Sequence, residues 1–567
     1  MILNLIIQTP LRVLSRRKFL TPGHLALTLM LNFKLTIIRK INIMKLHAYI
    51  LASAIVIMVL SSCKKDLLKD NTDPNAVTVN AFDPNNILTS TQLYYTGSSD
   101  NALEVEQTEI QGAGCFIQHW ASTSGYFFGD KYLFSPGGWG AFFDHAYSYQ
   151  VKNAVDLYTT TIGKPQYKNL HQIPRIMKAM VFERITDVYG DVPYFQAGLG
   201  YHKSIYFPVY DKQQDIYSDM LKEVSQAVDS LNETADKPKG DLFYSTASDQ
   251  IAEWKKFGNT LLLRMAMRLT KVDPNTAKLY VAKLQGHTMT SNDDNAIVAH
   301  GTLDPLTINR IYRGIGEDGS IQFSGQISKK FIDVLKSRND PRLSVYAFLY
   351  SDTVNVVDPA SPISGSSNPS DQNGLPNGYD GGNTIHGIQN SPGYLGSTLN
   401  YSRPSPIMFN PTAPTLILTY AESELLLADA AKRWGIGDAA THYNNGVTAA
   451  ITELSVYGSA VTIGATDAQT YLAANPYNDA AGLNMINTQF WITTFFNEYE
   501  AWSNYRRTGY PALVPVTYPG SQSPGAIPRR MEYSTLDKQI NPGNYNIAVA
   551  RLTGGDKITS RMWWDIQ

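Results

Sequence analysis

Hydrophobic residues return at helical spacing over most of the chain between residues 102 and 505, and this periodicity limits the fold more than any other feature. In the stretch 211–231, for example, Ile216, Met220, Leu221 and Val224 fall on one stripe. We find no alternation of apolar and polar residues that would build a sheet. The sequence therefore predicts an all-α fold class, in which helix pairs are joined by loops of very uneven length.

The predicted helices share this apolar stripe, and several are bounded by turn residues. Pro174 marks either a kink or the true first turn of its helix, and Gly190 with Pro193 supplies a stop signal after that helix. Helix pairs of this size suggest a tetratricopeptide-type solenoid, although the full repeat signature is not legible. We expect helices at about 102–120, 139–160, 166–188, 211–231, 252–269, 273–284, 327–335, 415–434, 439–454 and 485–505.

Three segments lack helical periodicity. Residues 64–101 are predicted to form an extended, turn-rich arm. Residues 352–412 are rich in Ser, Pro, Gly and Asn, and so long a stretch without regular structure is either functional or disordered. The segment 528–564 is predicted to be irregular.

Leu60-Ser61-Ser62-Cys63 follows a short apolar run and has the form of a lipobox. The run is too short to span a bilayer, which takes about 20 residues, but it suits the apolar region of a secretory signal. We therefore predict a lipoprotein signal peptide at 44–62 and acylation of Cys63, against the alternative of an ordinary signal peptide with a chance cysteine. Residues 1–43 are then best explained by a start codon assigned too far upstream, with a genuine extension as the alternative.

The composition describes a globular chain with a lightly charged surface. The formal net charge is −1, which gives no electrostatic case for a nucleic acid or an anionic membrane as partner. If Cys63 is acylated, Cys115 is left alone and no intrachain disulfide can form. The 34 tyrosines and 8 tryptophans suit neutral polar ligands, or simply a tyrosine-rich helical core.

No catalytic or metal-binding pattern stands out. The histidines form no zinc-ligand spacing, and no nucleophile motif or phosphate-binding glycine loop is present. Asp187 and Asp191 could suggest a pair of catalytic carboxylates or a cation site, but both lie at a helix C-terminus, so structural capping and loop-anchoring hydrogen bonds are the better interpretation. We expect no cofactor. Asp70 and Asp73 resemble part of a calcium loop, but the spacing is wrong for an EF-hand and the closing Glu is missing, which leaves open only a surface Ca²⁺ elsewhere.

Acidic residues also lie on the otherwise apolar helix 415–434. A buried carboxylate without a partner would destabilise the fold. We therefore expect Glu422, Glu424 or Asp429 to pair with an arginine such as Arg264 or Arg506.

Several segments, taken together and in order, resemble the SusD/RagB family of outer-membrane lipoproteins, in its SusD-like branch. The most specific is RITDVYGDVPY at 184–194, followed by the central-helix segment WKKFGNTLLLRMAMRL at 254–269. The resemblance covers most of 63–567, which we take as a single domain. The other matching segments are the lipobox with DPN at 73–75, DPRL at 340–343, NGLPNG at 373–378, TYAESELLLADA at 419–430, WSNYRRTGYP at 502–511 and IPRRMEY at 527–533.

The resemblance implies four tetratricopeptide-like helix pairs carrying long loops. It also implies a lipid-anchored protein on the outer membrane, exposed at the cell surface, that caps a TonB-dependent (SusC-like) transporter and captures oligosaccharides or other nutrients without catalysis. Peptide or other non-sugar ligands remain an alternative. A surface hydrolase and a purely structural envelope lipoprotein are less favoured.

Aromatic residues in two loops are the candidate ligand contacts. Flat aromatic faces pack against the C–H patches of sugar rings, while neighbouring amides and carboxylates bond the hydroxyls. Each of these rings could instead pack its loop onto the helices. The candidates are Trp120, Tyr126, Phe127, Tyr132 and Trp139 in the first loop, and Tyr379, Tyr394 and Tyr401 in the second.

Overall fold

The computed structural model describes residues 82–98, 102–135, 137–303, 307–315, 325–351 and 364–566, with scattered residues between 37 and 51. Residues Asp83–Gln567 form one compact unit and Met1–Phe82 another. The described residues do not include Cys63 or the turn at 73–75, and they include only a few residues of the signal peptide at 44–62 and less than half of the predicted arm. The structure therefore does not test the predictions made for these segments.

The unit Asp83–Gln567 is mainly helical, which confirms the predicted fold class. Helix α2 is of the π type, and a π-helical turn at Ala146–Val151 joins α3 to α4. The helices are α1 Asn85–Tyr95, α2 Glu104–Gly114, α3 Ala141–His145, α4 Lys152–Thr161, α5 Lys168–Tyr189, α6 Gly200–Lys203, α7 Gln213–Ser230, α8 Gln250–Arg268, α9 Pro274–Leu284, α10 Arg310–Ile315, α11 Lys329–Ser337, α12 Leu343–Tyr346, α13 Tyr420–Trp434, α14 Ala439–Thr452, α15 Ala465–Ala474, α16 Gly482–Thr493, α17 Glu498–Thr508, α18 Thr535–Ile540 and α19 Pro542–Ala550.

Within the described ranges, three small antiparallel sheets connect the loops, which the sequence did not predict. Strand β1 pairs with β3, β2 with β7, and β4 with both β5 and β6. Each strand has at most four residues, too few for an alternation to be read from the sequence. The strands are β1 Trp120–Ala121, β2 Ala296–Val298, β3 Gln326–Ile327, β4 Ala347–Tyr350, β5 Gly365–Ser366, β6 Arg403–Pro404 and β7 Thr415–Leu418.

Neighbouring helices pack as pairs: α1 with α4, α5 with α7, α8 with α9, and α13 with α14. Two of the close approaches depend on glycine. A Cβ at Gly258 of α8 would lie 2.3 Å from Cγ2 of Val228 on α7, and one at Gly446 of α14 would lie 2.8 Å from Cγ of Leu425 on α13. A larger residue at either position would force the helices apart.

Side-chain caps fix where several of these helices begin. The Asp249 and Asp273 carboxylates accept hydrogen bonds from Ala252 N and Thr276 N at 3.2 and 3.1 Å, starting α8 and α9. The Thr419 hydroxyl does the same for α13, accepting from Glu422 N at 3.2 Å. Such caps satisfy backbone donors that a first helical turn leaves without partners.

Four details differ from the sequence-based expectations. Part of the predicted arm is helix α1, and residues 415–418 form strand β7 on β2 instead of starting a helix. Pro174 lies inside α5 and not in its first turn. The segment predicted as irregular contains α18 and α19, helices of six and nine residues that are too short to show a clear apolar stripe.

The helix predicted at 485–505 is broken into α16 and α17. The chain turns at residues 494–497, where Phe496 has a left-handed φ of 72°. The turn lets Glu498 at the start of α17 accept a hydrogen bond from Nε1 of the buried Trp120 at 2.8 Å and contact Nδ1 of His119 at 2.6 Å. A tertiary contact therefore decides this break, which the local sequence does not reveal.

A buried charge cluster joins α5, α8, α13 and α17. Arg264 contacts Glu183 at 2.6 Å and Glu422 at 3.7 Å, which confirms the predicted pairing of Glu422 with Arg264. Arg268 contacts Asp187 at 2.9 Å and Glu500 at 2.6 Å. These two arginines face four carboxylates, and burial raises the pKa of Glu183 to about 7 and that of Glu422 to about 8. The buried charge cluster is defined as Glu183, Asp187, Arg264, Arg268, Glu422 and Glu500.

The remaining acidic residues singled out in the sequence also have structural partners. Asp187 accepts hydrogen bonds from the Tyr217 hydroxyl at 2.6 Å and from Trp564 Nε1 at 2.8 Å. Asp191 accepts one from Gln213 N at the start of α7, at 2.8 Å. Asp429 pairs with Arg433 and with Arg507, and not with Arg506. Asp187 and Asp191 thus both make hydrogen bonds that join separate parts of the fold.

None of the helices in the described part of the chain is both long enough and apolar enough to cross a membrane.

Candidate functional site

Four of the five candidate aromatics in the first loop have buried rings. Trp120, Phe127, Tyr132 and Trp139 each expose 2% of their surface or less. Trp120 lies in β1 and is hydrogen-bonded to Glu498, while Tyr132 takes a left-handed φ of 54° and its hydroxyl accepts a hydrogen bond from Val516 N. In this structure these rings pack the loop onto the helices and offer no face to a ligand.

Tyr126 is the exception, with 75% of its surface exposed. It lies at the tip of the loop, where its backbone N–H donates to the Ser124 hydroxyl at 3.2 Å. Of the first group, Tyr126 is therefore the residue whose ring is free to stack on a ligand.

The second group lies in the loop that follows residue 372. Tyr379 and Tyr394 are half-buried, and they pack against a small apolar cluster that contains Tyr401 and Ala121. Tyr401 is buried, and its hydroxyl accepts a hydrogen bond from Leu395 N at 3.2 Å. The half-buried rings of Tyr379 and Tyr394 keep part of their surface accessible.

The structure brings the two groups together, which the sequence could not show. The buried Asp130 carboxylate accepts hydrogen bonds from Asn377 Nδ2 at 2.7 Å and from Gly378 N at 2.8 Å. Gly381 N donates to Thr123 O at 3.0 Å, a short distance from Tyr126 along the chain. These bonds hold the second loop against the first, so Tyr126, Tyr379 and Tyr394 belong to one surface.

A third segment, which the sequence analysis missed, completes this surface. The Tyr518 hydroxyl donates to the Asp380 carboxylate, with both oxygens at 3.0 Å, and its ring centroid lies 5.4 Å from that of His386. Gln522 N donates to Tyr132 O at 2.8 Å, which ties this segment to the first loop. No sequence motif marks residues 514–525 as functional, because these residues reach the two loops only through the tertiary fold. We call Tyr126, Tyr379, Asp380, His386, Tyr394 and Tyr518 the three-loop surface.

A cleft of about 240 Å³ lies between α11 and the second loop, lined in part by Tyr401. Its polar side chains come from α11, as Lys329, Asp333 and Lys336, and from the loop, as Gln372 and Asn373. Tyr401, one of the candidate ligand contacts, is buried but forms part of the wall of this cleft. The cleft adds hydrogen-bonding groups beside the cluster that supports Tyr379 and Tyr394.

The three-loop surface combines aromatic rings with a few polar groups. Asp380, His386 and the tyrosine hydroxyls can donate and accept hydrogen bonds, while the exposed Tyr126 ring offers a flat apolar face. Across the described ranges, no group of three or more His, Cys, Asp or Glu side chains could hold a metal ion. This arrangement suits an uncharged, hydroxyl-rich ligand.

Comparison with known proteins places the chain in one family. A family model described as "Starch-binding associating with outer membrane", of the SusD-like type, matches residues 74–534. No curated protein matches the chain by sequence.

Solved structures agree with this match. A chitin-binding protein is 34% identical, with a TM-score of 0.73 over 86% of this chain and 100% of its own. A chitin-binding SusD homolog from Flavobacterium johnsoniae is 23% identical, with a TM-score of 0.67 over 85% and 99% of the two chains. A SusD homolog from Bacteroides uniformis, 21% identical, has a TM-score of 0.68 over 85% and 99%. The last two show the shared fold, and with the family model they lead to one conclusion: this chain belongs to the SusD-like family of outer-membrane-associated proteins.

Proposed function

We propose that this protein binds glycans at the three-loop surface, without catalysis or cofactor, and delivers them to a TonB-dependent outer-membrane transporter. The observation that carries the proposal is the joining of the two aromatic loops into one surface, where the exposed ring of Tyr126 and half-buried tyrosine rings lie with Asp380 and His386. Sugars offer C–H faces for the rings and hydroxyls for the polar groups.

Chitin oligosaccharides are the first ligands to test. The structure that is 34% identical is a chitin-binding protein, and N-acetylglucosamine units offer an amide and a methyl group beside the ring C–H face. The chitin-binding homolog from Flavobacterium johnsoniae points to the same ligand class. Titration calorimetry against chitin, starch and other glycan fragments, with a peptide pool in parallel, would test the assignment. Heat from peptides alone would favour the non-sugar alternative, and release of reducing ends would favour a hydrolase.

Tyr126→Ala is expected to weaken the binding of a chitin oligosaccharide at least tenfold, which corresponds to about 1.4 kcal/mol. Tyr126 is the exposed ring of the first loop, so its loss removes a stacking face without opening a core cavity. Tyr201→Ala is the matched control, because Tyr201 is 93% exposed and lies on α6, outside the three-loop surface. Equal affinity for the Tyr126 and Tyr201 variants would contradict this assignment of the site.

The lipid anchor is the second part of the proposal. Acylation of Cys63 would hold the protein on the outer membrane, since each buried CH₂ of an acyl chain contributes about 0.8 kcal/mol. Cys63→Ala is expected to leave the protein soluble or unprocessed, as seen by membrane fractionation and by mass spectrometry of the N-terminus. Cys115→Ala is the control, because Cys115 is buried in the helical unit. Unchanged membrane retention of Cys63→Ala would refute the lipobox.

A further inference from the structure

A cleft of about 550 Å³ lies where α5 ends and α7 begins, and it shares no residue with the three-loop surface. Clefts that bind small molecules usually measure about 300–1,000 Å³. We call this site the arginine cleft, after Arg551 and Arg561 in its wall. Its walls are formed by residues 190–191, 212–214, 551–553 and 561–566.

Hydrogen bonds fix one wall of the arginine cleft to the helical framework. Gln213 N, at the start of α7, donates to Asp191 Oδ1 at 2.8 Å, and Gln213 Nε2 donates to Thr186 O at 2.8 Å. Arg551 Nη1 donates to Asp191 Oδ2 at 2.5 Å, and its Nη2 donates to Tyr210 O at 3.1 Å. The cleft is therefore lined by side chains whose positions are set by the fold.

Positive charge exceeds negative charge at the opposite wall. The buried Asp565 carboxylate accepts hydrogen bonds from Arg529 Nε at 2.8 Å and from Arg561 Nη1 at 2.9 Å, so one carboxylate faces two guanidinium groups. Lys271 Nζ lies close by and donates to Ile566 O at 3.1 Å. Burial lowers the pKa of Lys271, Asp565 acts against this, and Arg529 and Arg561 lower it further. A cation that is held less tightly to its proton by its neighbours indicates a positive local potential.

The cations of the cleft keep donor groups for a ligand. A guanidinium group has five N–H donors, and the hydrogen bonds of Arg551 and Arg561 to the protein use only some of them. The two side chains are 30% and 38% exposed, and Lys212 is exposed as well. Arginine binds carboxylate and phosphate groups through paired hydrogen bonds. These three side chains are therefore suited to an oxyanion.

An aromatic ring gives the cleft a second kind of contact. Trp563 lines the cleft and is half-buried, with its ring centroid 6.2 Å from that of Tyr217. The Gln214 amide and the Thr553 hydroxyl also line the cleft and can bond the hydroxyls of a ligand. A flat ring beside such groups suits a sugar, which has a C–H face and hydroxyls.

We propose that the arginine cleft is a second binding site, which takes an anionic sugar that carries a carboxylate or a phosphate group. Arg551, Arg561 and Lys212 bind the anionic group, and Trp563 packs against the sugar ring. This site is separate from the three-loop surface and does not depend on the proposed function.

Lys212→Gln combined with Arg561→Gln tests the cleft. Both side chains reach solvent, and Asp565 keeps Arg529 as its partner, so the variant removes two cations without emptying the core. The probes are trigalacturonate and N-acetylglucosamine 6-phosphate, titrated by calorimetry into the full-length protein. We expect the wild type to bind at least one probe, and the double variant to bind it at least tenfold more weakly.

Lys255→Gln combined with Lys283→Gln is the matched control. It removes the same charge from α8 and α9, outside the cleft, where the two side chains are 34% and 55% exposed. This control is expected to bind the probe within twofold of the wild type. The cleft variant is expected to keep the wild-type titration with a neutral chitin oligosaccharide, which also shows that it is folded.

The outcomes separate the cleft from the proposed function. If the wild type binds neither probe, or binds it no better than the cleft variant, the second site is overturned and the proposed function stands. Inorganic phosphate bound as tightly as the probes would overturn the sugar as ligand. A wild type that binds a probe at the cleft but gives no heat with neutral glycans would support the second site and count against the proposed function.

Chemical labelling would locate the bound probe. Phenylglyoxal modifies accessible guanidinium groups, and mass spectrometry identifies the modified arginines. The bound probe is expected to lower the labelling of Arg551 and Arg561 at least threefold, whereas the half-buried Arg338, outside the cleft, keeps its labelling. Equal labelling of Arg551 and Arg561 with and without a bound probe would overturn the assignment of the cleft.

Discussion

Replacing Arg268 with methionine is expected to lower the free energy of unfolding by about 3–5 kcal/mol, the usual cost of removing one partner from a buried ion pair. Arg268 lies in the buried charge cluster and is 1% exposed. It contacts Asp187 at 2.9 Å, Glu500 at 2.6 Å and Glu183 at 3.8 Å. Methionine is also a long, unbranched side chain, so the loss of stability reflects mainly the carboxylates that are left without a positive partner.

Denaturant unfolding followed by circular dichroism would measure this effect, with Lys255→Met as the control. Lys255 pairs with Glu233 at 2.7 Å, but the two side chains are 34% and 51% exposed. Such an exposed pair contributes about 0–1 kcal/mol. A loss below about 1 kcal/mol for a folded Arg268→Met would show that the charge of Arg268 does not stabilise the cluster.

Stability is also expected to fall as the pH rises from about 5 to about 9, and Glu422→Gln is expected to weaken this dependence. Burial raises the pKa of Glu422 to about 8, against the effect of Arg264. Burial likewise raises the pKa of Glu109 and Glu453 to about 8. In this pH range the folded chain therefore holds protons that the unfolded chain has released.

The direction of the pH effect follows from where the proton is bound more tightly. The folded pKa of Glu422 lies above the ordinary value of 4.5, so its contribution to stability is complete below about pH 4.5 and is lost as the pH passes 8. At about 1.4 kcal/mol for each pKa unit, the rise from 4.5 to about 8 gives this single group a contribution of roughly 5 kcal/mol. Glutamine resembles the protonated carboxyl and has no proton to lose.

Unfolding free energies at pH 5, 7 and 9 would test this expectation. Wild type and Glu422→Gln should agree within about 1 kcal/mol at pH 5, and the variant should be the more stable by several kcal/mol at pH 9. Glu233→Gln, at a half-exposed position, should follow the wild-type pH curve. A wild-type protein that gains stability between pH 5 and pH 9 would contradict the prediction.

Much of the helical framework could be predicted from local sequence. The stripe containing Ile216, Met220 and Val224 gave α7 because a helix of that length must bury one face, and all three side chains are buried. The sequence also predicted that a carboxylate of α13 would pair with an arginine such as Arg264, because a buried carboxylate needs a partner. The break between α16 and α17 was not, because it depends on a contact between Glu498 and Trp120, which lie 378 residues apart.

The candidate site was predictable only in part. Aromatic density marked the first loop but did not distinguish Tyr126, which faces solvent, from Trp120 and Tyr132, which are buried. Composition marked the second loop, whereas Tyr518 carried no signal because its place beside Asp380 arises from a bond across 138 residues.

The sequence by itself determined the mainly helical fold class and, through an ordered set of motifs, the SusD-like family, because helical periodicity and local motifs are properties of short segments. The tertiary structure decided which aromatic rings face solvent, how three distant loops meet around Asp130 and Asp380, and which arginine neutralises which carboxylate. Burial and long-range hydrogen bonds settle these points, and they exist only once the chain is packed.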